Sequence, residues 1–165
     1  MTTQAMPVLA HGTFTIERRY DASPERVFRA YSDPAAFRRW FVEGENWTIH
    51  DWTYDFRVGG YAGGSFRFGD EGNETWFNDT EHLDIVENRR IIVSYVMGRV
   101  TGAGRERASA SLATTELVAD GSGTRLIYTE QGAYFGGDPR QEIAMREEGC
   151  GEMLDKLARE LAEHS

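Results

Sequence analysis

The sequence predicts one α+β domain in which a curved antiparallel sheet of about six to seven strands wraps round a long C-terminal helix. Within residues 47–130, apolar residues recur at every second position in several segments, and Gly- and Asn-rich turns separate these segments. This pattern is typical of strands linked by hairpins. Two helix starts follow the first strand, and a well-capped helix ends the chain. Hairpin links imply antiparallel pairing, and a helix on one face of such a sheet gives the α+β class.

The first element is a half-buried strand predicted over residues 13–20, after a flexible lead-in over residues 1–12. A single domain is therefore predicted over residues 13–163. Alternation places Arg18 on the apolar face of this strand, as its one charged member. The other members of that face are Phe14, Ile16 and Tyr20.

Two short helices are predicted directly after this strand. Ser23-Pro24 starts the first and Asp33-Pro34 starts the second, in each case with a polar cap before a proline at the first helical position. Helices this short cannot bury a core alone, so we expect them to pack on the sheet. Their apolar residues are Val27, Phe28, Tyr31, Phe37, Trp40 and Phe41.

The middle of the chain consists of strands and turns. Strands are predicted over residues 47–57, 65–69, 74–86, 90–99, 106–118 and 124–130. The glycine pairs at 59–60 and 63–64 predict a turn or a bend of the sheet, since they lack the strand-to-helix setting of a phosphate-binding loop. Four successive positions on one face of the 106–118 strand are small: Ser109, Ser111, Ala113 and Thr115.

The last helix has the strongest start signal in the chain. Asp138 can accept a bond from a free helix N–H, Pro139 fits the first helical position, and Gln141 completes a capping box. The apolar stripe then continues to about Leu161. We expect this helix to lie across the concave face of the sheet, with a cavity where the two diverge.

Composition excludes several classes of function. The net charge of −9 argues against binding to nucleic acid and to anionic membranes. The single cysteine excludes an internal disulfide, which fits a reducing cytoplasm. There is no run of about 20 apolar residues and no signal peptide. We therefore expect a cytoplasmic protein.

Eight short stretches between Phe14 and about Leu161 form a pattern through their order and spacing. They are 16–34 (IERRYDASPERVFRAYSDP), 38–40 (RRW), 55–60 (DFRVGG), 81–86 (EHLDIV), 90–92 (RII), 123–126 (GTRL), 129–134 (TEQGAY) and 146–149 (REEG). The order and spacing of these stretches, rather than any single motif, resemble the START-like (SRPBCC) superfamily, whose fold is the helix-grip. The closer likeness is to the group named after the C-terminal domain of the activator of the heat-shock protein 90 ATPase, in a bacterial branch labelled polyketide cyclase-like.

The resemblance implies a cavity for a small hydrophobic molecule, and this chain departs from the pattern in three ways. Gly63-Gly64 adds length after the usual Arg-x-Gly-Gly. Cys150 stands where many relatives carry Trp, which leaves more room beside the helix. We expect no counterpart of the separate N-terminal domain of the heat-shock protein 90 activator, and therefore no direct activation of a chaperone.

Four polar residues on apolar faces are the candidates for chemistry. In a helix-grip sheet the first and last strands are neighbours, so Arg18 and Glu130 are expected to form a buried ion pair. The alternative for Glu130 is a general acid or base with a raised pKa. Arg146 and Glu147 fall on the inner stripe of the final helix; either they reach solvent at its edge or they orient a polar ligand group.

The predicted pocket combines aromatic residues with a few polar groups, as ligand sites usually do. No metal and no cofactor is predicted, because none of the four histidines has the spacing of a metal ligand. Cys150 is expected to be a buried structural thiol rather than a nucleophile. The predicted ligand-binding residues are Arg18, Trp40, Trp52, Phe66, Phe68, Trp76, His82, Tyr95, Tyr128, Glu130, Tyr134, Arg146 and Cys150.

The leading functional hypothesis is the binding of a small hydrophobic or aromatic molecule, lipid-like or polyketide-like, in a cavity between the sheet and the C-terminal helix. Two alternatives stay open: an enzyme of cyclase or hydrolase type that uses Glu130, and a stress-related module that interacts with a chaperone. A homodimer through an exposed strand or an aromatic surface is also left open. No complete catalytic set is visible, so catalytic residues are not assigned.

Overall fold

The computed structural model describes residues 7–164, which fold as the predicted α+β helix-grip domain. The predicted lead-in falls partly outside the described residues, and the first strand begins three residues before Thr13. The seven strands are β1 (Ala10–Tyr20), β2 (Trp47–Tyr54), β3 (Tyr61–Phe68), β4 (Thr75–Val86), β5 (Arg90–Thr101), β6 (Gly104–Asp120) and β7 (Gly123–Tyr134). The helices are α1 (Pro24–Ser32), α2 (Pro34–Phe37), a π-helical turn (Arg38–Val42) and α3 (Pro139–Glu163).

The helix starts use the predicted caps. The Ser23 hydroxyl accepts from the backbone N–H of Arg26, and the Asp33 carboxylate accepts from Ala35 N–H. At α3 the Asp138 carboxylate accepts from the N–H of Gln141. Each cap is followed by a proline, whose missing N–H is no loss at the first helical position.

All strands form one antiparallel sheet in the order β1-β7-β6-β5-β4-β3-β2. The first and last strands are neighbours, as predicted, with Phe14 opposite Glu130. Side chains of one face line up in rows across the sheet. One row runs Trp52, Gly64, Asn78, Met97, Ser109 and Tyr134, and the next runs Tyr54, Ala62, Thr80, Tyr95, Ser111 and Gly132.

Of the two alternatives predicted for residues 63–64, the turn is wrong, because both glycines lie inside β3 and pair with β2 and β4. A Cβ on Gly63 would collide with the carbonyl oxygen of Asn78, and one on Gly64 with that of Asp51. The glycines therefore permit a close approach of strands, and the irregularity lies on β2 between Ile49 and Asp51.

The hydrophobic core lies between the sheet, the short helices and the second half of α3. Leu154, Leu157 and Leu161 of α3 are buried there against Val27, and Leu126 supplies the sheet side. Removal of this apolar surface from water is the main stabilising contribution to such a fold. Among residues 7–164, no helix is long and apolar enough to cross a membrane.

Candidate functional site

A fully buried carboxylate, Glu130 on β7, is the centre of a polar cluster beneath the first half of α3. The hydroxyls of Tyr95 and Tyr128 donate to its Oε1 over 2.6 and 2.7 Å. The Tyr134 hydroxyl donates to Oε2 over 3.3 Å. Cys150 Sγ lies 3.7 Å from Oε1. A buried carboxylate must be hydrogen-bonded, and this one engages both of its oxygens.

Arg146 of α3 supplies the positive charge of the cluster. Its Nη1 lies 3.4 Å from Glu130 Oε2 and donates to the Tyr95 hydroxyl over 2.8 Å. Its Nη2 donates to the Ser109 hydroxyl over 2.8 Å. The Arg146 side chain is 12% exposed, and its guanidinium lies 5.3 Å from the centre of the Tyr134 ring. Of the two predicted alternatives, Arg146 therefore points inward, whereas Glu147 is exposed.

Small residues create the space that the guanidinium occupies. Ser109 and Ser111 of β6 are buried directly beneath Arg146. A Cβ on Gly132 would meet the Ser111 hydroxyl and the Tyr134 ring, so the β7 backbone lies close to this group as well. The sequence showed that one face of β6 is small but did not connect that face with Arg146.

Burial sets the protonation of the cluster. Desolvation raises the pKa of the Tyr95 and Tyr128 hydroxyls well above their ordinary value. Desolvation also raises the pKa of Tyr134 to about 12. For the Cys150 thiol, desolvation and the nearby charge of Glu130 together raise the pKa to about 12. The three tyrosines are therefore neutral hydrogen-bond donors, and Cys150 is a neutral thiol, as predicted for a structural cysteine.

A row of partly exposed aromatic side chains lies on β2, β3 and β4, on the same face of the sheet as the polar cluster. We call it the aromatic face; its members are Trp47, Trp52, Phe66, Phe68 and Trp76. Phe66 packs on Trp47 at 6.1 Å and on Phe68 at 5.2 Å between ring centres. Phe68 is 42% exposed, and the other four are partly buried. Exposed aromatic groups that adjoin one another mark a surface suited to an apolar ligand.

Charged side chains connect the aromatic face with α3. The Arg99 guanidinium of β5 lies 4.3 Å from the Trp76 ring centre and donates to Glu142 of α3 over 2.9 Å. Lys156 of α3 lies 4.5 Å from the Trp47 ring centre. Sequence reasoning missed Trp47, Arg99 and Glu142, since only the fold brings the two strand residues Trp47 and Arg99 to α3, on which Glu142 lies.

The indole N–H of Trp52 has no partner. The nitrogen is buried, and no acceptor lies within hydrogen-bonding distance among the described residues. Its ring packs against Phe37 and Phe41 at 6.2 Å and against Tyr54 at 6.3 Å between centres. A buried donor without a partner is rare in folded proteins.

The predicted Arg18–Glu130 pair is wrong. The register places Leu126 opposite Arg18, four residues or about 13 Å along β7 from Glu130. Arg18 instead pairs with Asp155 of α3 at 3.2 Å and is about one-third exposed. Its charge is therefore solvated at the sheet edge.

Trp40 and His82 lie away from the cluster, in the core next to the short helices. Trp40 is buried and its indole N–H donates to the carbonyl of Ala30 over 2.8 Å. His82 is buried edge-on against Phe56, and its Nδ1 lies 3.2 Å from the Gly60 carbonyl oxygen. Burial lowers the pKa of His82. A role for either residue in binding stays a prediction.

Two open clefts lie elsewhere on the described surface. One, of about 450 Å³, adjoins Arg89 and Leu117, and the other, of about 280 Å³, adjoins Arg39 and Glu160. Neither cleft lies between the sheet and the first half of α3, where Glu130, Tyr95 and Arg146 contact one another. Within residues 7–164, no group of three or more His, Cys, Asp or Glu residues has a metal-binding arrangement.

Comparison with known proteins gives a family and several solved structures. The family model described as "Activator of Hsp90 ATPase homolog 1-like protein" matches residues 21–162. Protein Mll3558 from Rhizobium loti is 44% identical, over 93% of this chain and 99% of that chain, with a TM-score of 0.79. A Rhizobium leguminosarum protein is 34% identical, over 97% and 100%, with a TM-score of 0.85. No curated protein matches the chain.

Proposed function

Because this chain belongs to the family of activator of Hsp90 ATPase homolog 1-like proteins, we propose that it binds a small hydrophobic or aromatic molecule between the sheet and α3. The fold of this family is known for small-molecule binding. The apolar part of the ligand would lie on the aromatic face, and its polar group would point toward Arg146.

One observation carries the proposal: a buried polar cluster and a row of partly exposed aromatic rings share one face of the sheet. Ligand sites typically combine apolar walls with a few fixed polar groups. Burial of the aromatic surface would supply most of the binding free energy, at about 25 cal/mol per Å². The hydroxyls and the guanidinium would set the orientation, since they are already held in place by one another.

A thermal-shift titration with 2-ethylnaphthalene and 2-acetylnaphthalene tests the proposal. A ligand at about 100 times its Kd adds about 2.7 kcal/mol of stability, which raises Tm by several degrees. Phe66→Ala should weaken the shift, because it removes a ring of the aromatic face. Leu112→Ala is the matched control, since Leu112 is exposed on the opposite face of the sheet. If neither compound raises Tm, the proposal fails.

The second candidate is acid–base catalysis at Glu130, which its direct contacts with the Tyr95 and Tyr128 hydroxyls favour. Both tyrosines stay protonated near neutral pH, so they would act as donors to a developing negative charge rather than as bases. Loss of turnover in Glu130→Gln with the fold retained would support catalysis. A wild-type protein that binds its ligands but converts none of them would exclude catalysis.

A further inference from the structure

The polar cluster holds two opposite charges that are both removed from water. Glu130 is fully buried and Arg146 is 12% exposed, with 3.4 Å between Oε2 and Nη1. We propose that this pair makes the site selective for uncharged ligands, and that Glu130 is the residue that determines this specificity. The inference rests on the proposed function and adds the ligand class to it.

Arg146 without its partner would be a binding site for carboxylates. A guanidinium attracts carboxylate oxygens more strongly than neutral acceptors, and burial strengthens the attraction. In this chain Glu130 already provides that negative charge from within the protein. An anionic ligand would add a second negative charge beside Glu130, whereas a neutral ligand leaves the pair balanced. Glu130 therefore lowers the affinity of the site for anionic ligands but does not select one particular neutral ligand.

The charges around the aromatic face do not alter this balance. Arg99 is already paired with Glu74 at 3.0 Å and with Glu142 at 2.9 Å. Lys156 donates to the backbone carbonyl of Glu43, so part of its charge is also satisfied. The net charge of −9 on the whole chain further disfavours the approach of anions.

Three naphthalenes that differ in one substituent test the inference: 2-acetylnaphthalene, 2-ethylnaphthalene and the 2-naphthoate anion. In the wild-type protein, both neutral compounds should bind at least about tenfold more tightly than naphthoate at neutral pH. Glu130→Gln keeps the shape and the acceptor oxygen but leaves Arg146 uncompensated. Naphthoate affinity should then rise at least about tenfold, while the affinities of the neutral compounds change less than about threefold.

Glu147→Gln is the matched control, because it removes the same charge from an exposed neighbour on α3. It should leave the preference unchanged. Arg146→Gln gives an independent test if Glu130→Gln does not fold: it leaves Glu130 uncompensated, so the 2-naphthylmethylammonium cation should gain at least about tenfold in affinity.

Each outcome decides the matter. Tight binding of naphthoate to the wild-type protein, or no gain of the charged probe in the variants that fold, would overturn the inference and leave the proposed function intact. Failure of all three naphthalenes to bind would instead overturn the proposed function. If neither variant folds, the wild-type comparison decides, because equal affinity for naphthoate and the neutral compounds would overturn the inference.

Discussion

Two tryptophans that both contact the short helices differ in one hydrogen bond. The indole N–H of Trp40 donates to the Ala30 carbonyl, whereas the buried N–H of Trp52 has no acceptor within residues 7–164. A buried donor without a hydrogen bond costs about 1–3 kcal/mol of stability. The packing of the Trp52 ring must therefore offset the cost of its unpaired N–H. The same substitution should therefore have different consequences at the two positions.

We expect Trp40→Phe to lower the free energy of unfolding by about 1–3 kcal/mol more than Trp52→Phe does. Both changes remove the same atoms, but the first leaves the Ala30 carbonyl without a partner, and the second removes a donor that already lacks one. Urea unfolding of the two variants measures the difference. Equal losses would mean that ring packing, not the hydrogen bond, determines both values.

The outcome for Arg18 and Glu130 shows what a sequence can tell about a single residue. Alternation correctly predicted that Glu130 lies on the buried face, and desolvation correctly required a charged partner. The sequence could not show whether Arg18 or Arg146 is the partner of Glu130, because that depends on the register of β1 with β7 and on the rotation of α3. Register is set by contacts between distant segments, so a local pattern does not contain it.

At the scale of elements, most of the fold could be predicted, since strands, caps and hairpin turns leave local signals. There were two exceptions: β3 was predicted to start four residues late, because Gly63-Gly64 resembles a turn, and β7 was predicted to end four residues early. The structure shows another use of glycine, as a position where a side chain would collide with the neighbouring strand.

Gly63→Ala should therefore lower the free energy of unfolding by about 1–3 kcal/mol, as overpacking generally does. Its new methyl group would meet the Asn78 backbone and the Tyr61 ring, and the backbone cannot move aside freely. Gly72→Ala, in the turn before β4, is the matched control, because a Cβ there meets nothing within 4 Å. Chemical denaturation of both variants gives the comparison. A Gly63→Ala protein as stable as Gly72→Ala would show that the strands can separate without cost.

For the whole molecule, stability should depend on pH through a group outside the polar cluster. His82 packs edge-on against Tyr54 and Phe56, and burial lowers its pKa below the ordinary value of 6.5. Below that value the unfolded chain binds a proton that the folded protein does not, so unfolding becomes more favourable as the pH falls. The loss begins near pH 6.5 and is complete once the pH is below the lowered pKa of the folded state. Asp51 contributes only at more acidic pH, because the Ser65 hydroxyl bonds its carboxylate and lowers its pKa.

His82→Gln should remove this dependence between pH 6.5 and the lowered pKa, although the variant is less stable at neutral pH. His50→Gln is the matched control, since His50 is an exposed histidine on β2. The measurement is the free energy of unfolding in urea at a series of pH values from 7.5 to 5. The wild-type protein and His50→Gln should lose stability over this range, while His82→Gln stays level. The same slope in all three proteins would place the titrating group elsewhere, and His82 would then be only a packing residue between the sheet and the short helices.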